Sequence, residues 1–237
     1  MAPEMSEADR PAMVDAGLRA PRSAGVAGII FAILFIAASL LVSPRPPAGL
    51  DAAGLVVWFQ TTARTPISIA TLYLAPFAGI AFLWFIGVVR ARIGSREDQL
   101  FSTVFLGSGL LFVAMYWAGA AQLVSLLGEN RYDAAPALTA EALEGARSEA
   151  FAFLFVLAAR AAGVFMLVTS TIILRARVMP KAIAYIGYLI ALVMLLSVSA
   201  LQWIVLLFPV WVLVVSVFLL VDERRASPTA PAVASAA

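Results

Sequence analysis

Arg160 has the strongest claim on chemistry in this sequence. It stands inside the apolar run 151–174, flanked by Ala158, Ala159, Ala161, Ala162 and Gly163. An arginine inside a membrane-length apolar run costs roughly 2.5–3.5 kcal/mol on insertion scales and marks a functional site by default. Two readings follow. In one, the small neighbours leave a cavity where Arg160 holds an anion, with Tyr73, Tyr116, Gln122, Thr169 and Gln202 as further polar groups for the same ligand. In the other, Arg160 snorkels: side chains lean towards a helix N-terminus, and a long stem carries the guanidinium to the near interface. The run 107–109 places Ser108 between two glycines. A serine nucleophile needs a base within hydrogen-bond reach, usually histidine. The chain has no histidine, so Ser108 is expected to be a packing residue. The chain also has no cysteine. The usual zinc, haem and iron–sulfur ligand sets are therefore missing, and neither a metal nor a cofactor is expected. Carboxylates gather at Glu129, Asp133, Glu141, Glu144 and Glu149, outside the apolar runs. They suit a solvated helix face with a Glu144–Arg147 pair better than a catalytic dyad. No phosphate-binding glycine loop or nucleic-acid patch is present.

The elements that must position these residues are membrane helices. The chain is 63% hydrophobic and 13% charged, where a soluble domain is about half apolar and a quarter charged. Its apolar residues come in long blocks, and in lipid such blocks satisfy their backbone groups as helices. The fold class expected is all-α: a polytopic membrane protein with a six-helix transmembrane bundle. Spans are expected at about 25–42, 67–89, 100–127, 151–174, 182–199 and 203–221, within a membrane domain 22–225. Residues 182–221 form one nearly uncharged block about 60 Å long as a single helix, twice the hydrocarbon thickness, so a turn near 199–203 must divide it. Pro209 predicts a kink in the last span. Residues 1–21 and 226–237 are expected to be disordered cytoplasmic tails. A cleaved signal peptide at the first span is disfavoured, because Pro44, Arg45, Pro46 and Pro47 follow without a small-x-small site.

Charge placement sets the expected orientation. With six spans, one side holds Arg10, Arg19, Arg22, Arg90, Arg92, Arg96, Arg175, Arg177, Lys181, Arg224 and Arg225, and the other Arg45, Arg64, Arg131 and Arg147. Eleven against four places both termini in the cytoplasm by the positive-inside rule. In the first outer loop, Asp51 is a fitting N-cap for a segment bearing Leu55, Trp58 and Phe59. That segment either lies in the interface or extends span two. Thr139 caps a second helix, with Glu141 in its first turn, that can run on into span four. Ala24, Gly28 and Ala32 form a small-residue face for close helix contact.

The stretch 173–187, Ile-Leu-Arg-Ala-Arg-Val-Met-Pro-Lys-Ala-Ile-Ala-Tyr-Ile-Gly, resembles the signature of a bacterial membrane family catalogued as domain of unknown function 4386. Its pattern is a span ending in basic residues, a Pro-basic pair, then a span with an early glycine. Arg22 to Gly25 also fits the opening of that family's first span. The resemblance implies the architecture and a bacterial cytoplasmic membrane, and no activity. Three functions are expected, in this order: a non-catalytic structural or accessory membrane component, a small transporter or anion- or lipid-binding protein using Arg160, and a lipid-modifying enzyme at the outer face. Membrane lipids are the expected partners. The small-residue faces also allow association with other membrane proteins or a second copy, and no nucleic acid is expected.

Overall fold

The computed structural model describes residues 20–93, 99–128, 138–177, 179–196 and 202–226. The N-terminal tail up to residue 19, the tail from 227, the middle of the acidic loop (129–137) and the turn at 197–201 lie outside the described residues. All regular structure among the described residues is helical. Helix α1 is Ala20–Val42, and Asp51 then caps α2, Ala52–Trp58, through a 2.8 Å bond from the Gly54 amide to its carboxylate. The chain stays helical through α3 (Arg64–Ile69) and α4 (Ala75–Ile93). Helix α5 is Gln99–Val124, α6 is Ala140–Phe151 and α7 is Ala159–Ala176. Helix α8 is Lys181–Leu196, and α9 is Leu207–Ala226.

Five of these paths are long and apolar enough to cross a membrane: Gly25–Val42, Ala52–Arg90, Leu100–Leu127, Ala140–Ala176 and Trp203–Asp222. The apolar α8 is shorter, at 16 residues. Only 39–44% of each span is buried against protein, so most of its apolar surface, such as Ile33, Phe77 and Trp84, suits hydrocarbon rather than water. The helix expected at 67–89 starts at Ala52, so the segment bearing Leu55 and Trp58 extends the span. Likewise α6 runs unbroken into α7, and Thr139 caps it by accepting from the Ala142 amide at 3.1 Å. At 39 and 37 residues these two paths are about 55–58 Å long, so each overhangs a 30 Å hydrocarbon core by several turns.

The overhangs are held by a small core of their own. Phe59, Ala63 and Ile67 pack with Leu123, Leu126 and Leu127 and with Leu143, Ala146 and Ala150. Arg64 donates to the carbonyl of Leu127 at 2.9 Å, capping the end of α5, where Gly128 takes a left-handed φ of 66°. At the opposite end Arg175 stacks on the Phe101 ring at 4.4 Å, which fixes the end of α7 beside the start of α5.

Helix packing follows the small residues. Helix α1 sits between α4 and α9, and α7 between α5 and α8. Gly28 lies under Ser216 of α9, and Gly187 of α8 lies under Ser170 of α7, so a side chain at either glycine would strike a serine hydroxyl. In the middle of the bundle, Phe31, Phe82, Phe112, Phe165 and Phe208 come one from each of α1, α4, α5, α7 and α9. Their ring centroids lie 4.6–6.1 Å apart in tilted and edge-to-face contacts.

The helices are interrupted by wider π-helical segments at Phe59–Ala63, Ala70–Leu74 and Ala152–Ala158. Two precede prolines. Proline lacks an amide hydrogen and crowds the carbonyl four residues back. For Pro66 that residue is Thr62 and for Pro76 it is Leu72, and both fall inside π segments. Widening the turn takes up the conflict. Pro209 behaves differently from the expected kink. It stands in the first turn of α9, after a 3₁₀ turn at Gln202–Leu206, where an amide hydrogen has no intrahelical partner.

Candidate functional site

Above the phenylalanine cluster the helices part around a chamber of about 170 Å³. One wall is the last half of α1, from Phe35 through Ala38 to Val42. The π segment at 70–74 and its neighbours supply Ile67, Ala70, Thr71 and Ala75. Helix α5 contributes Tyr116, Ala120 and Leu123. Phe151, Leu154 and Phe155 come from the second long path, two of them on its π segment. Trp203, Val205 and Leu206 of the 3₁₀ turn close the remaining side. Two π segments thus face the chamber, and such segments widen a helix where it borders a site.

The walls are apolar, and the polar atoms within them are mostly spoken for. Ser39 donates to the carbonyl of Phe35 at 2.8 Å, Ser43 to that of Leu40 at 2.7 Å and Thr71 to that of Ile67 at 2.8 Å. Tyr116 is the exception. It is only 5% exposed, its ring packs on Phe35 at 4.9 Å and Phe112 at 6.0 Å, and its hydroxyl has no hydrogen-bond partner. A buried hydroxyl without a partner costs about 1–3 kcal/mol, a cost that Tyr116 carries within the aromatic packing.

Among the described residues, the charged ones that line the chamber are Arg45 and Arg147. Arg45 follows the end of α1 in the run Pro44-Arg45-Pro46-Pro47. Arg147 is on α6, in the overhang beyond the span, with its guanidinium 5.8 Å from the ring centroid of Trp58. The expected neighbour was Glu144. The aromatic face wins because Arg147 lies on the inward stripe with Leu143, Ala146 and Ala150, while Glu144 is exposed. Partial burial, and then the like charge of Arg45, both work against the Arg147 cation. Arg45 and Arg147 thus bring positive charge to the lining of an otherwise apolar chamber.

The residues singled out in the sequence are scattered. Of those whose side chains are described, Tyr116 alone lines the chamber. Arg160 is half-buried on α7 and donates to the Val156 carbonyl of its own helix at 2.8 Å, pointing back towards the helix N-terminus. Tyr73 is 60% exposed on the surface of a π segment. Gln122 is half-buried on α5 outside the chamber lining, and Gln202 opens the 3₁₀ turn, its side chain outside the described residues. Thr169 is buried and returns its hydroxyl to Phe165 at 2.7 Å. Sequence reasoning missed Arg45 and Arg147. The signal for Arg147 was its spacing from Leu143 and Ala150, which puts it on the buried stripe of α6. Ser108 is buried and bonds back to the carbonyls of Val104 at 2.7 Å and Phe105 at 3.2 Å, the posture of a packing serine. Among the described residues no group of acidic side chains could hold a metal ion. Comparison of the chain with protein-family models, with curated proteins and with solved structures finds no match.

Proposed function

We propose that this is a six-span protein of the bacterial cytoplasmic membrane, with both termini in the cytoplasm, akin to the domain of unknown function 4386 proteins. It is a non-catalytic membrane component that holds an apolar ligand in the chamber at its outer face. The orientation rests on the bias of basic residues, since α4, α7 and α9 end, and α8 begins, at the richly basic end. The observation that carries the function is the chamber itself. Its volume of about 170 Å³ compares with a cavity of about 150 Å³ that takes up benzene, and its walls are aliphatic and aromatic. No nucleophile and base meet there, which favours holding over chemistry. The bond from Arg160 to its own helix backbone supports snorkelling over an anion clamp.

The test is saturable binding of a neutral apolar probe. Purified protein is expected to take up one molecule of decan-1-ol by native mass spectrometry. Ala120→Trp, which fills the chamber from α5, is expected to fold and to lose that uptake. Absence of uptake by the unaltered protein would overturn the reading.

A further inference from the structure

We infer that the chamber takes its ligand sideways from the bilayer: an acyl chain of a lipid in the adjoining outer leaflet, which enters over the 3₁₀ turn at Gln202–Leu206. The inference rests on the reading of the chamber as a site for an apolar ligand, and adds the ligand's class and its route. Height above the phenylalanine rings carries it. Arg90 lies eight residues beyond Phe82 and Arg175 ten beyond Phe165, so the rings stand about 12–15 Å from the basic end, near the middle of a hydrocarbon core about 30 Å thick. On the other side, Val42 is eleven residues above Phe31, about 16 Å, and Ala140 is 25 residues above Phe165, about 37 Å. Trp203 is only five residues from Phe208, about 10 Å at the 3₁₀ rise. The rim of the chamber therefore dips at this turn, to a depth where the surroundings are lipid tails rather than water.

The flank is open at that dip. Trp203 lines the chamber and is 61% exposed, and Leu40 lines it and is 49% exposed. A residue that belongs both to the wall and to the outer surface marks a way through. Helix α1 and the π segment at Ala152–Ala158 both supply wall, yet among the described residues they do not pack along one another, so no helix seam closes the wall between them. The walls also select the occupant. They are aliphatic and aromatic, and Ser39, Ser43 and Thr71 keep their hydroxyls on their own helices, which leaves water few partners. Left empty, the lining would forfeit dispersion contacts that a hydrocarbon chain restores. Lipid tails are as apolar as these walls, so the gain is in filling the space and not in escape from water. A lipid supplies such a chain while its head stays at the interface.

Photo-crosslinking in nanodiscs tests the route. Phosphatidylcholine discs would carry a trace of phosphatidylcholine with a diazirine at the end of one acyl chain, or of the same lipid with the diazirine beside the ester. Irradiation, digestion and mass spectrometry then place each adduct. The chain-end probe is expected on Ala38, Ala120 or Leu154 inside the chamber, besides the lipid-facing Ile33 and Trp84. The ester-side probe is expected at Leu40 and Trp203, and not inside. Ala120→Trp should lose the chamber adducts and keep those on Ile33 and Trp84. Should that variant fail to fold, excess decan-1-ol added to the unaltered protein should displace the chain and clear the same adducts. Chain-end adducts on lipid-facing residues alone, from a protein that takes up decan-1-ol, would overturn lipid entry and leave the chamber to ligands from water. The ester-side probe inside the chamber, with the chain end at Trp203, would overturn entry with the head outside. A protein that shows no chamber adduct and takes up no decan-1-ol would sink the chamber as a ligand site, and this proposal with it.

Discussion

Glycine and serine meet in pairs at two crossings of this bundle, and each pair makes a residue-level prediction. Ser216 and Ser170 are fully buried, their hydroxyls unpartnered, directly over Gly28 and Gly187. A methyl at Gly28 would collide with the Ser216 side chain and also approach Phe85 at 2.9 Å. Gly28→Ala is expected to cost about 1–3 kcal/mol by overpacking, read as a lower melting temperature in detergent. Ser216→Gly should recover part of that loss in the double variant, because it removes the atoms struck first. Arg160 makes the contrasting case. Its hydrogen-bond partner is a carbonyl that also accepts from the Ala159 amide. Arg160→Lys and Arg160→Leu are both expected to express and to melt within a few degrees of the unaltered protein. Collapse of the leucine variant alone would show that Arg160 belongs to a buried polar network. Ser108→Ala should likewise change stability by about 1 kcal/mol or less, since only back-bonds to its own helix are lost.

At the scale of elements, the π segments shape the chamber, and proline places two of them. Pro76→Ala supplies an amide hydrogen that can donate to the Leu72 carbonyl, and allows 70–74 to tighten into an ordinary α-turn. The variant is expected to melt no lower than the unaltered protein. Its decan-1-ol uptake should fall about tenfold, because tightening swings Ala70 and Thr71 out of the chamber wall. Unchanged uptake would show that the widened turn is incidental to the site. Hydropathy makes the long helices legible in the sequence, because lipid demands length and apolarity in one place. The caps at Asp51 and Thr139 are equally legible, being local hydrogen bonds between residues three apart. The chamber is not. It is lined from five stretches of chain, and Arg45 and Arg147, about a hundred residues apart in sequence, share that lining only in the folded bundle. Arg160 draws attention because an isolated charge in an apolar run stands out, whereas Arg147 looks like one charge among many on a helix that sequence alone places in water.

For the whole molecule, orientation is the property that everything else depends on. The chain has no native cysteine, so single cysteines report cleanly. Ala53→Cys and Ala142→Cys, both exposed on the overhangs, are expected to react with an impermeant maleimide from outside intact cells. Ala182→Cys, exposed beside Lys181 at the other end, should react only after permeabilisation. The reverse pattern would invert the protein and move the chamber to the cytoplasmic side. In either orientation the five phenylalanines at the bundle centre have an electrical consequence. Their packed rings close the middle of the bundle between the chamber and the basic end, so much of the transmembrane voltage is expected to fall across them. A charge carried across the full membrane field exchanges about 2.3 kcal/mol per 100 mV. A ligand held on the chamber's side of the rings crosses almost none of that field, so its affinity should stay the same whether the cell is polarised or not.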